Sequence, residues 1–379
     1  MAVTALPTKR SIIIGAGASK PYDLPLASEL LKKACDRVAR LDARRLAMTR
    51  DFYVGNEVYE LAQGDNLSMA FLTSIKIPLT LERVARTFRE HLVQQNLDDF
   101  VRDHPSLTGV VSMLITINLI ASMYGQKDGM WQLRSELQKS AWKIETDWMR
   151  RFVGIIRPMA SANNKLSIIS FNYDALLERS MRMYWAGSEF KYTTLDESVE
   201  FVYPHGRFSE LPERINNLEV YLTEQAAQLK VGEQRDQAAR DRAKEIIKDS
   251  TRIFSVGFSF SDNNLQLLGL GEDKASALFV QNHKNEDVRL TRKLDQYHIS
   301  SNQRDGGDMN SLVQNGFLRT IAFSAMRGSL TGAAFASRPD APKRTAWSAA
   351  RGALPRDRHR LPPASANHHA GANKTVPEH

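Results

Sequence analysis

The sequence predicts an α/β fold, a doubly wound and mainly parallel sheet that carries a large helical insertion. Short runs of consecutive apolar residues recur along the chain, which is typical of strands buried on both faces of a parallel sheet. Helical stretches separate these runs, and glycine-rich or polar turns follow several of them. Hydrophobic residues make up 42% and charged residues 25% of the 379 positions. Both values lie near the globular average, which excludes a globally disordered chain.

Six apolar runs are predicted as strands. They are Arg10–Gly15, Leu166–Phe171, Phe201–Tyr203, Arg252–Val256, Ala277–Gln281 and Leu318–Phe323. The first two are separated by about 150 residues that we predict to be mostly helical, because a structureless connection of that length is uncommon. The predicted helices there are Ala27–Ala39, Leu81–Gln95 and the long run Lys127–Met159. We therefore expect a helical insertion over residues 27–160, and we predict a further charged surface helix over Glu224–Ser250.

The net charge of +8 is concentrated in one segment. From Arg327 onward nine lysines and arginines face three acidic residues, so the preceding residues carry only +2. This segment is rich in proline, alanine and arginine and lacks apolar periodicity. We therefore expect residues 326–379 to form a basic, disordered tail beside a domain of residues 1–325. A nearly neutral body gives no indication of nucleic-acid binding.

Cysteine content and hydropathy restrict the compartment. Cys35 is the one cysteine of the sequence, which forbids an internal disulfide and a Cys-x-x-Cys zinc site. A lone cysteine suits a reducing cytoplasm. No stretch approaches the roughly 18 uninterrupted apolar residues of a membrane span, and the first residues do not resemble a signal peptide. We expect a cytoplasmic protein without a membrane segment.

The first predicted strand runs into the small-residue turn Gly15-Ala16-Gly17-Ala18-Ser19. A buried strand that leads through Gly-x-Gly into a helix brings backbone N–H groups to a pyrophosphate in dinucleotide-binding folds. A third glycine and an acidic residue about 20 positions later are both missing. Taken alone, the pattern fits a glycine turn in another α/β protein about as well.

Three more turns follow predicted strands and carry polar residues. Asn172 and Asp174 follow the second strand, where they form part of a ligand crevice or merely turn the chain and cap the next helix. His205 follows the third strand beside a glycine, as a base or as a structural histidine. A glycine and hydroxyl loop, Gly257–Asp262, follows the fourth. Because the strands are predicted parallel, we expect all four turns at one edge of the sheet.

In this order the motifs GAGAS, SFNYD, PHG and GFSFSD resemble the sirtuin-like SIR2 superfamily, particularly its bacterial branch of SIR2-like NAD-hydrolase domains of the antiphage-defence type. The resemblance covers about residues 10–285, and GAGASKPYDLPLASELL looks like the opening motif of that branch. It implies a Rossmann-like fold with NAD+ as the substrate. Lysine-deacylating members carry a four-cysteine zinc ribbon, which a chain with only Cys35 cannot form. The resemblance therefore implies no zinc ribbon and no metal, and it disfavours a deacylase.

The resemblance also implies roles for individual residues. Asn172 matches the asparagine that orients water or the nicotinamide ribose, and Asp174 matches the aspartate that contacts the nicotinamide carboxamide. His205 matches the catalytic histidine, a general base facing the ribose. The remaining matches are to NAD-binding positions. These are Gly15, Ala16, Gly17, Ala18 and Ser19 for the pyrophosphate and Gly257, Ser259, Asp262 and Asn282 for the adenosine ribose and a second ribose contact.

The function implied is an NAD+ glycohydrolase that releases nicotinamide and ADP-ribose or a cyclic ADP-ribose, acting as an antiphage, abortive-infection effector. Because such an enzyme harms its host when always active, we expect a homo-oligomer or an activating partner, such as a defence-system ATPase or helicase or a phage component. Two alternatives stay open. One is an NAD-dependent protein deacylase or ADP-ribosyltransferase that uses the same pocket, and the other is a non-catalytic sensor of NAD or ADP-ribose.

Overall fold

The computed structural model describes residues 9–47, 62, 65–75, 79–92, 97–134, 137, 148–157, 160, 165–185, 194–209, 211–231, 236–281, 288–299 and 304–305. Three predictions lie outside these residues: the strand Leu318–Phe323, the tail over residues 326–379 and the ribose contact Asn282.

The described residues contain nine strands. In chain order they are β1 (Arg10–Ile14), β2 (Tyr124–Lys127), β3 (Met130–Leu133), β4 (Leu166–Ser170), β5 (Val199–Val202), β6 (Arg214–Ile215), β7 (Arg252–Val256), β8 (Leu278–Gln281) and β9 (Arg304–Asp305). Six of them form the main sheet in the order β5-β4-β1-β7-β8-β9, and β2, β3 and β6 form a second, antiparallel sheet.

Every pairing in the main sheet is parallel. The central strand β1 pairs with β4 on one side, where Ile13 lies opposite Ile169, and with β7 on the other, where Ile13 lies opposite Ser255. Numbered by their order along the chain, the six strands run 3-2-1-4-5-6 across the sheet, which is the doubly wound dinucleotide-binding topology. The predicted fold class is confirmed.

The described helices surround this sheet. They are α1 (Ala27–Ala47), α2 (Asn66–Ser74), α3 (Leu79–Thr87), α4 (Leu97–Asp103), α5 (Thr108–Met123), α6 (Trp148–Ile156), α7 (Leu176–Trp185), α8 (Leu195–Ser198), α9 (Leu218–Gln228), α10 (Gln237–Asp249), α11 (Asp262–Leu268) and α12 (Val288–Gln296). The predicted helix Ala27–Ala39 therefore continues for two further turns. In the region of the helix predicted over Leu81–Gln95, α3 ends at Thr87, and a single π-helical turn, Phe88–Leu92, follows it.

Both faces of the main sheet are covered, which explains why its strands are apolar throughout. Successive side chains of a strand point to opposite faces. Ile12 and Ile14 pack into the core beneath the helices between β1 and β4, whereas Ile13 packs into a second core with residues of α10, α11 and α12. All three isoleucines are buried.

The prediction of a continuous helix over Lys127–Met159 is wrong. Strands β2 and β3 form an antiparallel hairpin there, and only Trp148–Ile156 of the described residues is α-helical. The turn is Asp128-Gly129, with φ angles of 51° and 75°. Two central residues with positive φ match a type I′ hairpin turn, for which Asp-Gly is a preferred sequence. The Asp-Gly dipeptide indicates this turn in the sequence. The helix prediction followed instead from the apolar spacing of the tryptophans and leucines around it.

The charged stretch Glu224–Ser250 is not one helix. Helix α9 ends at Gln228, and α10 begins after Asp236, whose side chain accepts a hydrogen bond from the Ala239 N–H as an N-cap. Neither is it purely a surface element, because α10 buries Ala243, Ile246 and Ile247 against the sheet. Residues 232–235 lie outside the described residues.

Helix α5 is the most apolar helix among those described. With the preceding 3-10 turn it forms a 19-residue helix, Pro105–Met123, that is long and apolar enough to cross a membrane. Of its most apolar window, 78% is buried inside the protein. A helix that is apolar on all sides fits this central place in a core. Its buried hydroxyls of Thr116 and Ser122 donate to carbonyls one turn earlier.

Candidate active site

The turns predicted from the sequence meet at the edge formed by the carboxyl ends of the parallel strands. In a 3-2-1-4-5-6 sheet the chain reverses its direction of winding between the first and fourth strands, here β1 and β7. Folds of this topology bind their ligands at this switch point. The turn after β1 and the turn after β7 lie side by side there.

These two turns contact each other through their glycines. Gly15 N–H donates to Val256 O at 2.9 Å, and Gly17 N–H donates to Gly257 O at 3.0 Å. A Cβ on Gly15 would lie 2.4 Å from Gly257 O, and one on Gly257 would lie 2.3 Å from Ala18 N. Gly257 also has a φ of 61°, a left-handed conformation that favours glycine. The two backbones approach so closely that neither glycine can carry a side chain.

The same contact changes the interpretation of Gly17. From the sequence, Gly17 is expected to lack a Cβ so that a phosphate can approach. In the structure, a Cβ on Gly17 would lie 3.0 Å from the Cα and O of Gly257, so protein backbone stands in that direction. The N–H groups of Gly15, Gly17 and Ala18 all donate to protein carbonyls. A pyrophosphate held by these three groups would have to replace existing hydrogen bonds.

Ser19 links the first turn to the second. Its Oγ donates to Asp174 Oδ2 at 2.9 Å and accepts from Asn172 Nδ2 at 2.9 Å. The three residues come from turns that are more than 150 positions apart, and all three side chains are less than a tenth exposed. Ser19 thus contacts both candidate catalytic residues of the second turn, in addition to belonging to the predicted phosphate loop.

Asp174 caps the next helix, as considered from its sequence position, and it also takes part in the cluster with Ser19. Its Oδ1 accepts from the Leu176 N–H at 3.1 Å and so caps the start of α7, while its Oδ2 belongs to the cluster with Ser19. Burial raises the pKa of the Asp174 carboxyl, and the hydrogen bonds from Ser19 and Leu176 partly oppose that shift.

The two polar atoms of the Asn172 side chain differ in their hydrogen bonding. Its Nδ2 is engaged with Ser19, and its Oδ1 has no hydrogen-bond partner in the part of the chain that the structure describes. A buried polar atom without a partner is costly, which makes a bound water or ligand group at this position favourable.

His205 is held in place by its backbone and by aromatic packing. Gly206 has a φ of 70°, and a Cβ on it would lie 2.1 Å from Gln228 O. The Lys230 N–H donates to His205 O at 2.8 Å, which fixes this turn against the end of α9. The imidazole packs edge-on against Phe171, with ring centroids 5.2 Å apart, and it is only 6% exposed.

Sequence reasoning missed the side-chain partner of the histidine. His205 Nε2 lies 3.2 Å from Asn264 Oδ1, on helix α11 directly after the β7 turn. Asn264 follows the recognised motif GFSFSD by two positions, and nothing in its local sequence indicates a histidine partner 59 residues away.

An ion-pair cluster joins the second and third turns and was also not predicted. Glu178 of α7 accepts from Tyr203 OH at 2.7 Å and pairs with Arg207 at 3.2 Å and Arg182 at 2.9 Å. The Arg207 guanidinium lies over the Tyr203 ring, 4.8 Å from its centroid. Burial, reinforced by the Glu178 carboxylate, raises the pKa of the Tyr203 hydroxyl. This cluster fixes the residues that flank His205 against the helix that follows Asp174.

The fourth turn presents its polar side chains differently. Ser259 and Asp262 are exposed, and the Asp262 carboxylate pairs with Lys293 of α12. Phe258 and Phe260 turn inward instead, and the Phe258 ring lies 4.9 Å from Phe171 and 5.0 Å from Phe260. The aromatic rings of this turn therefore touch the side chains beside His205, whereas its hydroxyl and carboxylate face solvent.

Comparison with known proteins gives distant similarities only. No protein-family model matches the chain, and no curated protein matches it. Among solved structures, it is similar to Sir2 in complex with the inhibitor EX-527, 2'-O-acetyl-ADP-ribose and a deacetylated p53 peptide, at 10% identity and a TM-score of 0.34. It is also similar to Sir2Tm bound to a propionylated peptide, at 11% identity and a TM-score of 0.33. Each likeness covers 83% of this chain and 94% of the other.

Proposed function

We propose that this chain binds NAD+ at the carboxyl edge of the main sheet, beside the β1 and β4 turns, and hydrolyses its nicotinamide–ribose bond. The observation that carries the proposal is the buried cluster Ser19–Asn172–Asp174 with His205 nearby, at the switch point of a 3-2-1-4-5-6 sheet. The order of the four sequence motifs supports it as well. The products would be nicotinamide and ADP-ribose or a cyclic ADP-ribose.

The residues fit the chemistry of this bond cleavage. The C1′–N bond breaks with its electron pair moving to the cationic ring nitrogen, so nicotinamide leaves as a neutral molecule. Positive charge develops on C1′ of the ribose, and a water oxygen or a ribose hydroxyl attacks that carbon. The buried Asn172 Oδ1 can accept from this water, and Asp174 can contact the carboxamide. His205 would take the proton that the nucleophile loses.

The burial of the cluster bears on regulation. Ser19, Asn172, Asp174 and His205 are each less than a tenth exposed, so only a small part of each side chain is open to a ligand. A site buried to this degree fits an effector whose activity depends on an oligomer or an activating partner. We therefore extend the proposal to an antiphage, abortive-infection role, which rests on the motif resemblance.

The second candidate is a non-catalytic sensor of NAD or ADP-ribose, which would use the same buried groups for binding. The two candidates differ in one measurement, because a sensor binds NAD+ without releasing nicotinamide. An NAD-dependent deacylase or ADP-ribosyltransferase would instead require an acceptor peptide for release.

The test is nicotinamide release from NAD+ by the purified full chain, followed by chromatography. Parallel arms contain an acylated peptide and a candidate activating partner, and NAD+ is also measured in cells that express the chain. We expect His205→Ala and Asn172→Ala each to lower turnover about a hundredfold or more, the usual weight of a general base or a positioning group. His91→Ala, an exposed histidine of the helical layer, serves as the control. Near-full turnover by either active-site variant, with normal folding, would remove this mechanism.

A further inference from the structure

The contact between His205 and Asn264 is not evident from the sequence motifs, and it supports a further inference about the histidine. An imidazole has two ring nitrogens, and the partner of one decides which of them holds the proton in the neutral form. Asn264 Oδ1, a carboxamide oxygen, is an acceptor, and it lies 3.2 Å from His205 Nε2. With Oδ1 as the acceptor, this hydrogen bond favours the neutral tautomer that carries its proton on Nε2.

We propose that Asn264 is a positioning residue for His205, holding it in the tautomer with the proton on Nε2 and the lone pair on Nδ1. This inference rests on the proposed function, in which His205 takes a proton during NAD+ cleavage. The ring also packs against Phe171, and the Lys230 N–H donates to the backbone carbonyl of His205, so both the ring and its main chain are restrained.

The position of Asn264 gives the contact a second consequence. Helix α11 begins at Asp262, at the end of the β7 turn, whereas His205 follows β5, the edge strand on the opposite side of β1. The hydrogen bond therefore joins elements from the two sides of β1. A ligand that moves the β7 turn would move the partner of the histidine with it, so occupancy of the site and the basicity of His205 are linked.

Other charged groups around the histidine must stay constant in any test. Arg207, two residues later, is paired with Glu178, and Asp174 lies in the neighbouring turn after β4. Lys230 approaches through its backbone, and Asp262 of α11 is paired with Lys293.

Asn264→Asp tests the proposal with almost no change in shape. A carboxylate at the Oδ1 position stabilises the imidazolium, so the midpoint of the His205 titration should rise by about one pH unit or more. Asn263→Asp is the matched control, because it places the same charge one residue earlier on the same helix, where the side chain lines a separate cleft with Lys244 and Gln266. The control should shift the midpoint much less.

The titration is measured by long-range 1H–15N NMR of histidine-labelled full-length protein, with the His205 signals assigned from His205→Gln. In the wild type the neutral ring should carry its proton on Nε2, and Asn264→Ala should weaken that preference. In the NADase assay, the acidic limb of the kcat/KM profile should move to higher pH in Asn264→Asp by the same amount as the NMR midpoint. Asn264→Ala should lower kcat with little change in KM.

The outcomes separate this inference from the proposed function. An unchanged midpoint in Asn264→Asp, or equal shifts in Asn263→Asp and Asn264→Asp, would overturn the role of Asn264 even if NAD+ is cleaved. A shifted midpoint in a protein that releases no nicotinamide in any arm would leave the coupling of the two residues intact and reject the NAD hydrolase.

Discussion

The two sides of the candidate site are built by different means. On the side of β4 and β5, Ser19, Asn172 and Asp174 meet through buried side-chain hydrogen bonds, and Glu178 fixes the segments around them. On the side of β7, the contact with the first turn is made by backbone groups of Gly15, Gly17 and Gly257, while Ser259 and Asp262 remain exposed. One side holds polar side chains in fixed positions, and the other joins two loops and leaves its polar side chains in solvent.

This difference separates two requirements of the proposed reaction. Positioning a nucleophile and a base requires side chains that do not move, since misplacement by about 1 Å lowers a rate strongly. Accommodating a large dinucleotide requires groups that can exchange a water for a ligand. We therefore expect substitutions on the β4–β5 side to act on kcat, and substitutions of exposed residues on the β7 side to act on KM.

Gly257→Ala should have the largest effect on folding. The new Cβ would lie 2.3 Å from Ala18 N and 2.6 Å from Gly17 C, at a residue whose φ is 61°. Overpacking against backbone and a left-handed conformation together should lower the free energy of unfolding by about 3 kcal/mol or more. Urea denaturation followed by circular dichroism measures this.

Gly154→Ala provides the control for that substitution. This glycine lies within α6, and a Cβ there meets no atom within 4 Å, so alanine should stabilise the protein by about 0.5–1 kcal/mol. If Gly257→Ala were as stable as the wild type, the close backbone contact between the two turns would be disproved.

Gly17→Val distinguishes a ligand cradle from a loop-to-loop contact. The Cβ would lie 3.0 Å from Gly257 Cα, and valine adds two methyl groups beyond it, so we expect a loss of about 1–2 kcal/mol in the unliganded protein. Because the phosphate loop would be displaced too, NAD+ binding should weaken in calorimetric titration. An unchanged unliganded protein that no longer binds NAD+ would instead show that only the ligand occupies the space beside Gly17.

Asp174→Asn should reveal the energetic cost of a buried carboxylate on the β4–β5 side. Because the pKa of Asp174 is raised by burial, the folded protein retains this proton to higher pH than the unfolded chain. The stability that this provides is present below the ordinary aspartate pKa of about 3.9 and is lost as pH rises through the folded pKa. Asparagine keeps the acceptor for Leu176 N–H and cannot ionise.

The wild type should therefore lose stability relative to Asp174→Asn across that pH range, with a slope of at most about 1.4 kcal/mol per pH unit. At pH 7 the variant should be the more stable protein and the less active enzyme, a common trade-off at active sites. Denaturation curves from pH 4 to pH 8 measure the difference, and parallel curves would show that Asp174 titrates alike in both states.

Asp262→Asn should have the smallest effect. Its carboxylate is 86% exposed and pairs with Lys293, and exposed ion pairs contribute about 0–1 kcal/mol. We expect a change in unfolding free energy below about 0.5 kcal/mol and, if Asp262 contacts a ribose, a higher KM with kcat unchanged. A fall in kcat alone would contradict the assignment of KM effects to the β7 side and kcat effects to the β4–β5 side.

The parallel sheet and the meeting of the polar turns at one edge of it were predictable from local sequence. Buried strands such as Arg10–Ile14 are apolar at every position, and polar turns at the ends of parallel strands must share one edge. The hairpin over 124–133 was missed because two short signals competed, the apolar spacing of a helix and the dipeptide Asp128-Gly129. In the folded protein the backbone follows the dipeptide, with a positive φ at both Asp128 and Gly129.

The contacts of the site that were not predicted all join segments far apart in the sequence. Asn264 meets His205, and Glu178 meets Tyr203 and Arg207, only after the sheet has aligned their turns. The glycine motif could not reveal whether Gly17 makes room for a phosphate or for Gly257, since both need a residue without a Cβ. Such distinctions require the positions of both partners in space.

The central place of β1 has a consequence for synthesis of the chain. Its isoleucines Ile12, Ile13 and Ile14 leave the ribosome long before their strand partners, because Ile13 pairs with Ile169 and Ser255, far later in the chain. At about 5–20 residues per second, the strand waits on the order of ten seconds or more before β7 exists. During that time the three isoleucines lack their β7 partner strand and form an apolar, aggregation-prone segment of the nascent polypeptide. We expect chaperone occupancy of these nascent chains to be highest between the emergence of β1 and that of β7.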